Sequence, residues 1–428
     1  MSAPRTWPDP EENVQPPAID GGRLLRRLHE LAKIGRDSDG GVTRPGFSPD
    51  DMLAHQYLVG EATRAGLHSW TDTAGNLFFS RRPIADDRRC VLLGSHLDTV
   101  IGGGSLDGAY GVVAALEVLE VCVEAHQACA VEPVVVIFAN EEGALFPQAF
   151  WGSLALTGQF SELPSQPVDR QGASLRGPLR DAGGDLDRLP EARWVPGRCA
   201  AYLELHIEQG PVLEAAGVVI GVVDAIVGRT VLDVEVEGKA GHAGTVPMAE
   251  RRDALATASR IVLLAESIAR SGCCHVATVG YLNVLPGQVN VIPGSVRAAV
   301  DLRDSSAVRL ASAEKALLSG IKEIGAATRC KVTACTATRV APVATDPALR
   351  TLLERSAAGL GLSTLSLPSG AGHDAQVVAA IAPIGMIFVP SIGGLSHVPE
   401  ERSHPADLVS GAEVLLRAAL AIAAGQVA

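Results

Sequence analysis

Five residues in distinctive local settings carry side chains that bind divalent metals. They are His96 in Ser95-His96-Leu97-Asp98, Asp107 in Leu106-Asp107-Gly108, Glu142 in Asn140-Glu141-Glu142-Gly143, His206 in Glu204-Leu205-His206-Ile207-Glu208, and His397 in Leu395-Ser396-His397. Three imidazoles and two carboxylates form a donor set that borderline ions such as Zn2+ or Mn2+ accept. Five protein groups exceed what one open catalytic site takes. They suit two ions that share a carboxylate and activate a water between them. Asp98 lies two residues past His96, so on an extended segment it points the same way and is placed to orient the imidazole. Glu141 precedes Glu142 and is placed to take the water's proton. Plainer readings stand beside these. A His at a strand end is commonly structural, Glu141-Glu142 alone suits a solvated loop, and the acids with their glycines suit a phosphate-cradling turn. Against the last, neither Gly-x-Gly-x-x-Gly nor a P-loop lysine follows. His29, His55, His68, His126, His275 and His404 lack comparable settings and read as surface or core histidines.

Those five residues need elements that bring them together. Helical spacing runs over 24–34 and, after the turn-like Ser48-Pro49-Asp50, over 51–65. Cys90-Val-Leu-Leu-Gly94 reads as a buried parallel strand, 108–125 as a helix of small and apolar residues, and 133–139 as a second buried strand. Strand, Gly-rich loop, helix and strand make a βαβ unit, whose sites form at the carboxyl ends of the strands. His96 and Glu142 follow two such ends, and Asp107 heads the helix between them.

The texture changes near Arg229. Residues 230–237 alternate, as a half-exposed antiparallel strand does. A helix over 253–269, strands over 274–283 and 295–301, a helix over 307–327 and a strand over 330–337 follow. That βαββαβ order is ferredoxin-like. The α/β pattern then returns with a helix over 346–359, a strand over 383–389 and a helix over 405–424. The expected fold is α/β: a discontinuous catalytic domain (20–228 and 339–428) with a mixed, mostly parallel sheet flanked by helices, plus an inserted α+β domain (229–338). Residues 1–19, rich in Pro and acids, read as a disordered leader.

Composition narrows the partners. The 428 residues are 47% hydrophobic and 20% charged, which excludes a fibrous or disordered chain. Lys+Arg 36 against Asp+Glu 48 gives a net charge of -12, unsuited to nucleic acid or an anionic membrane. No stretch approaches the roughly eighteen apolar residues that a membrane span needs. The eight cysteines show no CxxC pairing, so neither a zinc ribbon nor a disulfide framework is expected, but reduced thiols in a cytoplasmic protein.

The chain resembles the dinuclear-metal amidohydrolases of the aminoacylase and carboxypeptidase type, and within them the N-carbamoyl-L-amino-acid hydrolase, β-ureidopropionase and allantoate amidohydrolase branch. The segments that carry the resemblance are GSHLDTV (94–100), LDGAYGV (106–112), NEEG (140–143), ELHIEQGPVLE (204–214), GHAGTVPMAERRDA (241–254), NVIPG (290–294), DLR (301–303), SGAGHDAQ (369–376) and FVPSIGGLSHVPEE (388–401). The resemblance implies that His96, Asp107 and His206 hold one metal, and Asp107, Glu142 and His397 the other. It makes Glu141 the general base, then the general acid, and His242 the stabiliser of the oxyanion, from its own or a partner subunit. Gln209 would bond the ureido group, and Asn290 and Arg303 the substrate carboxylate. Gly372 and His373 lie in a segment that approaches the ligand closely. The inserted domain would close over the site and pair two subunits into a homodimer.

The implied reaction splits an N-carbamoyl amino acid into amino acid, CO2 and ammonia. Allantoate, or a related amide or N-acyl amino acid, is the alternative substrate. HIEQG and GHAGTVPM argue against an aminoacylase or dipeptidase. A metal-free binding protein would have lost a ligand or the base, and none is lost. Two departures bear on substrate choice. Leu145 stands where the branch usually has Arg, and Gly102-Gly103-Gly104-Ser105-Leu106-Asp107-Gly108 lacks the branch's usual Asn and Phe.

Overall fold

The computed structural model describes residues 17–85, 88–160 and 166–426. Six strands come first: β1 His68–Thr71, β2 Leu77–Ser80, β3 Cys90–His96, β4 Glu132–Phe138, β5 Cys199–Ile207 and β6 Ile220–Ile226. Then come β7 Gly228–Glu237, β8 Gly241–His242, β9 Val276–Leu285, β10 Val291–Ile292, β11 Ser295–Asp304 and β12 Lys331–Val340. The last three are β13 Val343–Ala344, β14 Thr364–Ser369 and β15 Ile384–Val389. Nine strands form one sheet in the order β1-β2-β4-β3-β5-β15-β6-β13, with β14 alongside β6. Its centre, β4-β3-β5-β15, is parallel, and antiparallel pairs enter on both sides.

The central strands are buried on both faces, which explains their continuous apolar runs. Val91 and Leu93 pack toward the Gly21–Leu31, Ala109–Glu124 and Pro405–Ala423 helices. Cys90 and Leu92 pack the other way, with Leu156, Ala375 and Val378 from the helices on the opposite face. β5 was not expected as a strand. Its run CAAYLELHI buries Glu204 and His206 along with its apolar residues, and the polar interruptions hide the period. β1, β2, β6, β8, β10, β13 and β14 were not expected either, and all but β6 are six residues or shorter.

Residues 228–340 form a second sheet, ordered β12-β7-β11-β9 and antiparallel throughout. One face packs on the Ala254–Arg270 and Ala307–Thr328 helices, which is why β7 alternates buried and exposed residues. The opposite face of β7 and β11 carries Arg229 and Arg303, which stand directly across from each other.

The leader expected over 1–19 lies outside the described residues as far as residue 16. Ile19 is buried and donates its N–H to Glu413 (2.8 Å). Asp20 then caps the first helix through Arg23 N. On the buried face of that helix, Arg27 is 2% exposed and donates to Glu61 (2.7 Å), Glu117 (3.1 Å) and Glu120 (2.6 Å). This joins three helices, one of which begins directly after Asp107. Removing the cation would strand buried carboxylates. Arg27→Ala should therefore cost about 3–5 kcal/mol in urea unfolding. A loss below about 1 kcal/mol would contradict this role.

Candidate metal centre

Four parallel strands deliver their carboxyl ends to one edge of the sheet. β3 ends at His96, β4 leads into Asn140-Glu141-Glu142, β5 carries His206, and β15 leads into the loop bearing His397. Asp107 arrives from the loop ahead of the Ala109–Glu124 helix. Between them, Gly108 has φ 62°, and a Cβ there would come within 2.5 Å of the His96 ring, so only glycine fits.

Asp107 lies at the centre. Its Oδ1 is 3.1 Å from His206 Nε2 and 3.5 Å from His96 Nε2. Its Oδ2 is 3.2 Å from His397 Nε2, which is also 3.2 Å from Glu142 Oε1. Two groups result, His96–Asp107–His206 and Asp107–Glu142–His397, in each of which the donor atoms lie within 4.8 Å of one another. The imidazole protons suit a cation. Nδ1 of His96 lies 2.9 Å from the Asp98 carbonyl, and Nδ1 of His206 lies 2.9 Å from the Ile207 carbonyl. A carbonyl only accepts, so Nδ1 carries a proton and Nε2 is the nitrogen turned toward Asp107, the one a metal would take in place of its proton.

Asp98 acts differently from expectation. Its backbone carbonyl orients His96, while its carboxylate, 3.7 Å from Nδ1, accepts the backbone N–H groups of Glu141 (3.0 Å) and Glu142 (3.1 Å). It thereby fixes both acids at once. Asn140, at φ 51°, donates to the Phe146 and Gln148 carbonyls and folds the following loop back. Phe150, Gln209 and His397 are left-handed too, so backbone strain gathers at this edge.

Acids and imidazoles in the centre shift one another strongly. Burial alone would raise the Asp107 carboxyl, but the His206, His397 and His96 rings hold it well below the usual carboxylate range. Hydrogen bonds to Asp107 and then Glu142 push His397 up to about 10. Burial lifts Glu141 well above its ordinary value, and Glu142 and Asp374 add to that against the pull of His96. The N/O donor set fits a borderline divalent ion, which would displace the imidazole protons on binding.

A cavity of about 280 Å3 opens over the centre. Among the predicted residues it brings together His96, Asp107, Glu141, Glu142, His206, Gln209, Arg303, Gly372, His373 and His397. Asp98 lies behind it. His242 and Asn290 are exposed and do not line it; His242 pairs with Val291 on the β8–β10 ribbon, beside Asn290. A larger, more open cleft of about 1010 Å3 along the Pro347–Ala358 and Pro405–Ala423 helices contains none of these residues.

Several functional neighbours escaped the sequence reading. Buried Glu401 accepts the N–H of Leu106 (2.9 Å) and of Asp107 (3.1 Å). Ser396 Oγ bridges Glu401 (2.7 Å) and Asp107 (3.0 Å). Glu401 lies four residues past His397, at the end of the FVPSIGGLSHVPEE segment, where its type alone did not mark a role. Gly104 makes room for it, since a Cβ there would meet its carboxylate. Leu145 packs against the cluster of Phe47, Phe146 and Trp151 and does not line the cavity. Arg229 also lines the cavity.

Because Asp98 holds both acids through their backbone, Asp98→Ala should weaken binding of Zn2+ or Mn2+ about 10–100-fold while the protein stays folded, as read by calorimetry and circular dichroism. Unchanged affinity would contradict this arrangement.

Known proteins share this architecture. A hydantoinase/carbamoylase family amidase from Burkholderia multivorans superposes with a TM-score of 0.86 at 37% identity, covering 95% of this chain and 98% of that one. The N-carbamoyl-L-amino acid amidohydrolase of Geobacillus stearothermophilus is 40% identical over 409 residues, 95% of this chain and all of the relative. The allantoate amidohydrolase of Bacillus subtilis is 35% identical over 394 residues, 90% of this chain and 93% of that protein. Residues 92–421, which hold all five candidate ligands, match the model of peptidase family M20/M25/M40. With the donor geometry, the sheet and near full-length similarity in agreement, the chain belongs to that metal-dependent hydrolase family.

Proposed function

We propose that the protein hydrolyses the ureido C–N bond of an N-carbamoyl amino acid, adding one water and releasing amino acid, CO2 and ammonia. The observation that carries this reading is Asp107, whose two oxygens face two donor groups beside a buried Glu141 in one cavity. The names of the relatives support the substrate class.

In this reading His96, Asp107 and His206 hold one divalent ion, and Asp107, Glu142 and His397 a second, each Zn2+ or Mn2+. When bound, the ions supply Lewis acidity that polarises a carbonyl and lowers the pKa of a water. Glu141 takes the proton of the attacking water and returns it to the leaving nitrogen, a role suited to a carboxyl lifted by burial. Gln209 donates its amide N–H to Asp107 (2.7 Å), which leaves a buried Oε1 without a partner, ready to accept a ureido N–H. Arg303 holds the substrate carboxylate from the cavity wall, and Asn290 joins it from outside the cavity by the same route as His242 below. His373, whose Nε2 lies 2.8 Å from Ser369 Oγ, walls the cavity against His206. Gly372 lets the backbone come close.

His242 meets the developing oxyanion. From its exposed ribbon it reaches the site by closure of the 229–338 insert over the 20–228 and 339–428 catalytic domain, or from a second subunit. Exposed Tyr281, Leu282 and Leu285 on the edge strand β9 favour pairing of two copies through that insert. Among the described residues no helix is long and apolar enough to cross a membrane, and a cytoplasmic enzyme with reduced thiols is the expected setting.

Ammonia release from metal-replete protein should follow addition of an N-carbamoyl-L-amino acid, and exceed that from allantoate or N-acyl amino acids. Glu141→Gln should lower the rate at least about 10²–10⁴-fold while the metal content stays that of the parent. Release unaffected by the substitution, or none from any ureido compound, would overturn this reading.

A further inference from the structure

Arg229 lines the cavity but has no part in the mechanism above. We infer that Arg229 is a second arm of the grip on the substrate carboxylate, shared with Arg303; this rests on the amidohydrolase reading. In the antiparallel pairing of β7 and β11, Arg229 stands directly opposite Arg303, and both face the cavity. Like charges so placed repel unless an anion lies between them. Asp301 partly fills that role. Its Oδ2 accepts from Arg229 Nε (2.7 Å) and Arg303 Nη2 (3.1 Å), and its Oδ1 accepts from Arg303 Nε (3.2 Å). Two guanidiniums and one carboxylate leave one positive charge, which a single further carboxylate neutralises.

The donors divide unevenly. Arg303 gives its Nε–Nη2 edge to Asp301 and donates Nη1 to the Gly370 carbonyl (2.8 Å), so each of its nitrogens already has a protein partner and only the second N–H of Nη1 and of Nη2 is left for substrate. Arg229 commits only Nε. Among the described residues no hydrogen bond engages its Nη1 or Nη2, and its side chain is 47% exposed against 31% for Arg303. A carboxylate is matched best by two parallel N–H donors, and Arg229 presents such a pair end-on. The same cavity holds Glu141 and the metal-binding residues, so a ureido acid bound at that centre shares its walls with the two arginines.

The test compares an N-carbamoyl amino acid with its carboxamide in metal-replete enzyme carrying Arg229→Gln or Arg229→Lys. For the acid, Arg229→Gln should lower kcat/KM about ten- to a hundredfold, chiefly through KM, and Arg229→Lys should recover part of the loss. For the carboxamide, Arg229→Gln should change kcat/KM less than about twofold. Equal losses on both compounds, or none on the acid, would overturn the inference. Absence of turnover by the parent enzyme would instead count against the proposed reaction. In that event calorimetric binding of the acid decides: weaker binding by Arg229→Gln supports the role, and equal affinity, or no binding to the parent, overturns it.

Discussion

The division of the Asp107 carboxylate between two sets of imidazole and carboxylate donors is the interaction on which the site depends. Oδ1 faces His96 and His206, and Oδ2 faces His397. That split requires a rotamer held from several sides. Glu401 accepts the backbone N–H of Asp107, Ser396 and Gln209 touch Oδ2, and Gly108 leaves the His96 ring room beside the helix start. These partners come from three separate stretches of chain, so the carboxylate is placed only once the sheet has closed around it.

The sheet makes that closure possible at tolerable cost. Parallel strands bring His96, Glu141-Glu142, His206 and His397 to one edge, where loops replace the strand ladder and backbone groups seek other partners. Asp98 takes two such N–H groups, and the carbonyls of Asp98 and Ile207 take two imidazole protons. The left-handed residues Asn140, Gln209 and His397 concentrate strain at the same edge. The buried Arg27 cluster, on the far side of the Ala109–Glu124 helix, anchors the element that presents Asp107.

Much of this was legible in the residues because the chemistry is local. A His two residues before an Asp, or paired acids after an apolar run, announce themselves without knowledge of the fold. Strands β3, β4 and β15 were legible because burial on both faces writes continuous apolar runs, and β7 because one open face writes alternation. β5 was hidden by its own function, since Glu204 and His206 break the pattern that would have marked it. Glu401 and Arg229 were missed for another reason. Their roles arise from neighbours distant in sequence, Asp107 and Arg303, which no short motif records. The position of His242 and Asn290 outside the cavity was likewise invisible, because motif order says nothing about distance.

The most direct test of the central claim is metal stoichiometry by mass spectrometry for the parent protein and Asp107→Ala, with circular dichroism to confirm folding. A carboxylate shared by two sites predicts about two equivalents of Zn2+ or Mn2+ per chain in the parent and near zero in the folded variant. Retention of one or more tightly held equivalents by the variant would show that the two sites do not depend on a common ligand, and would contradict the account.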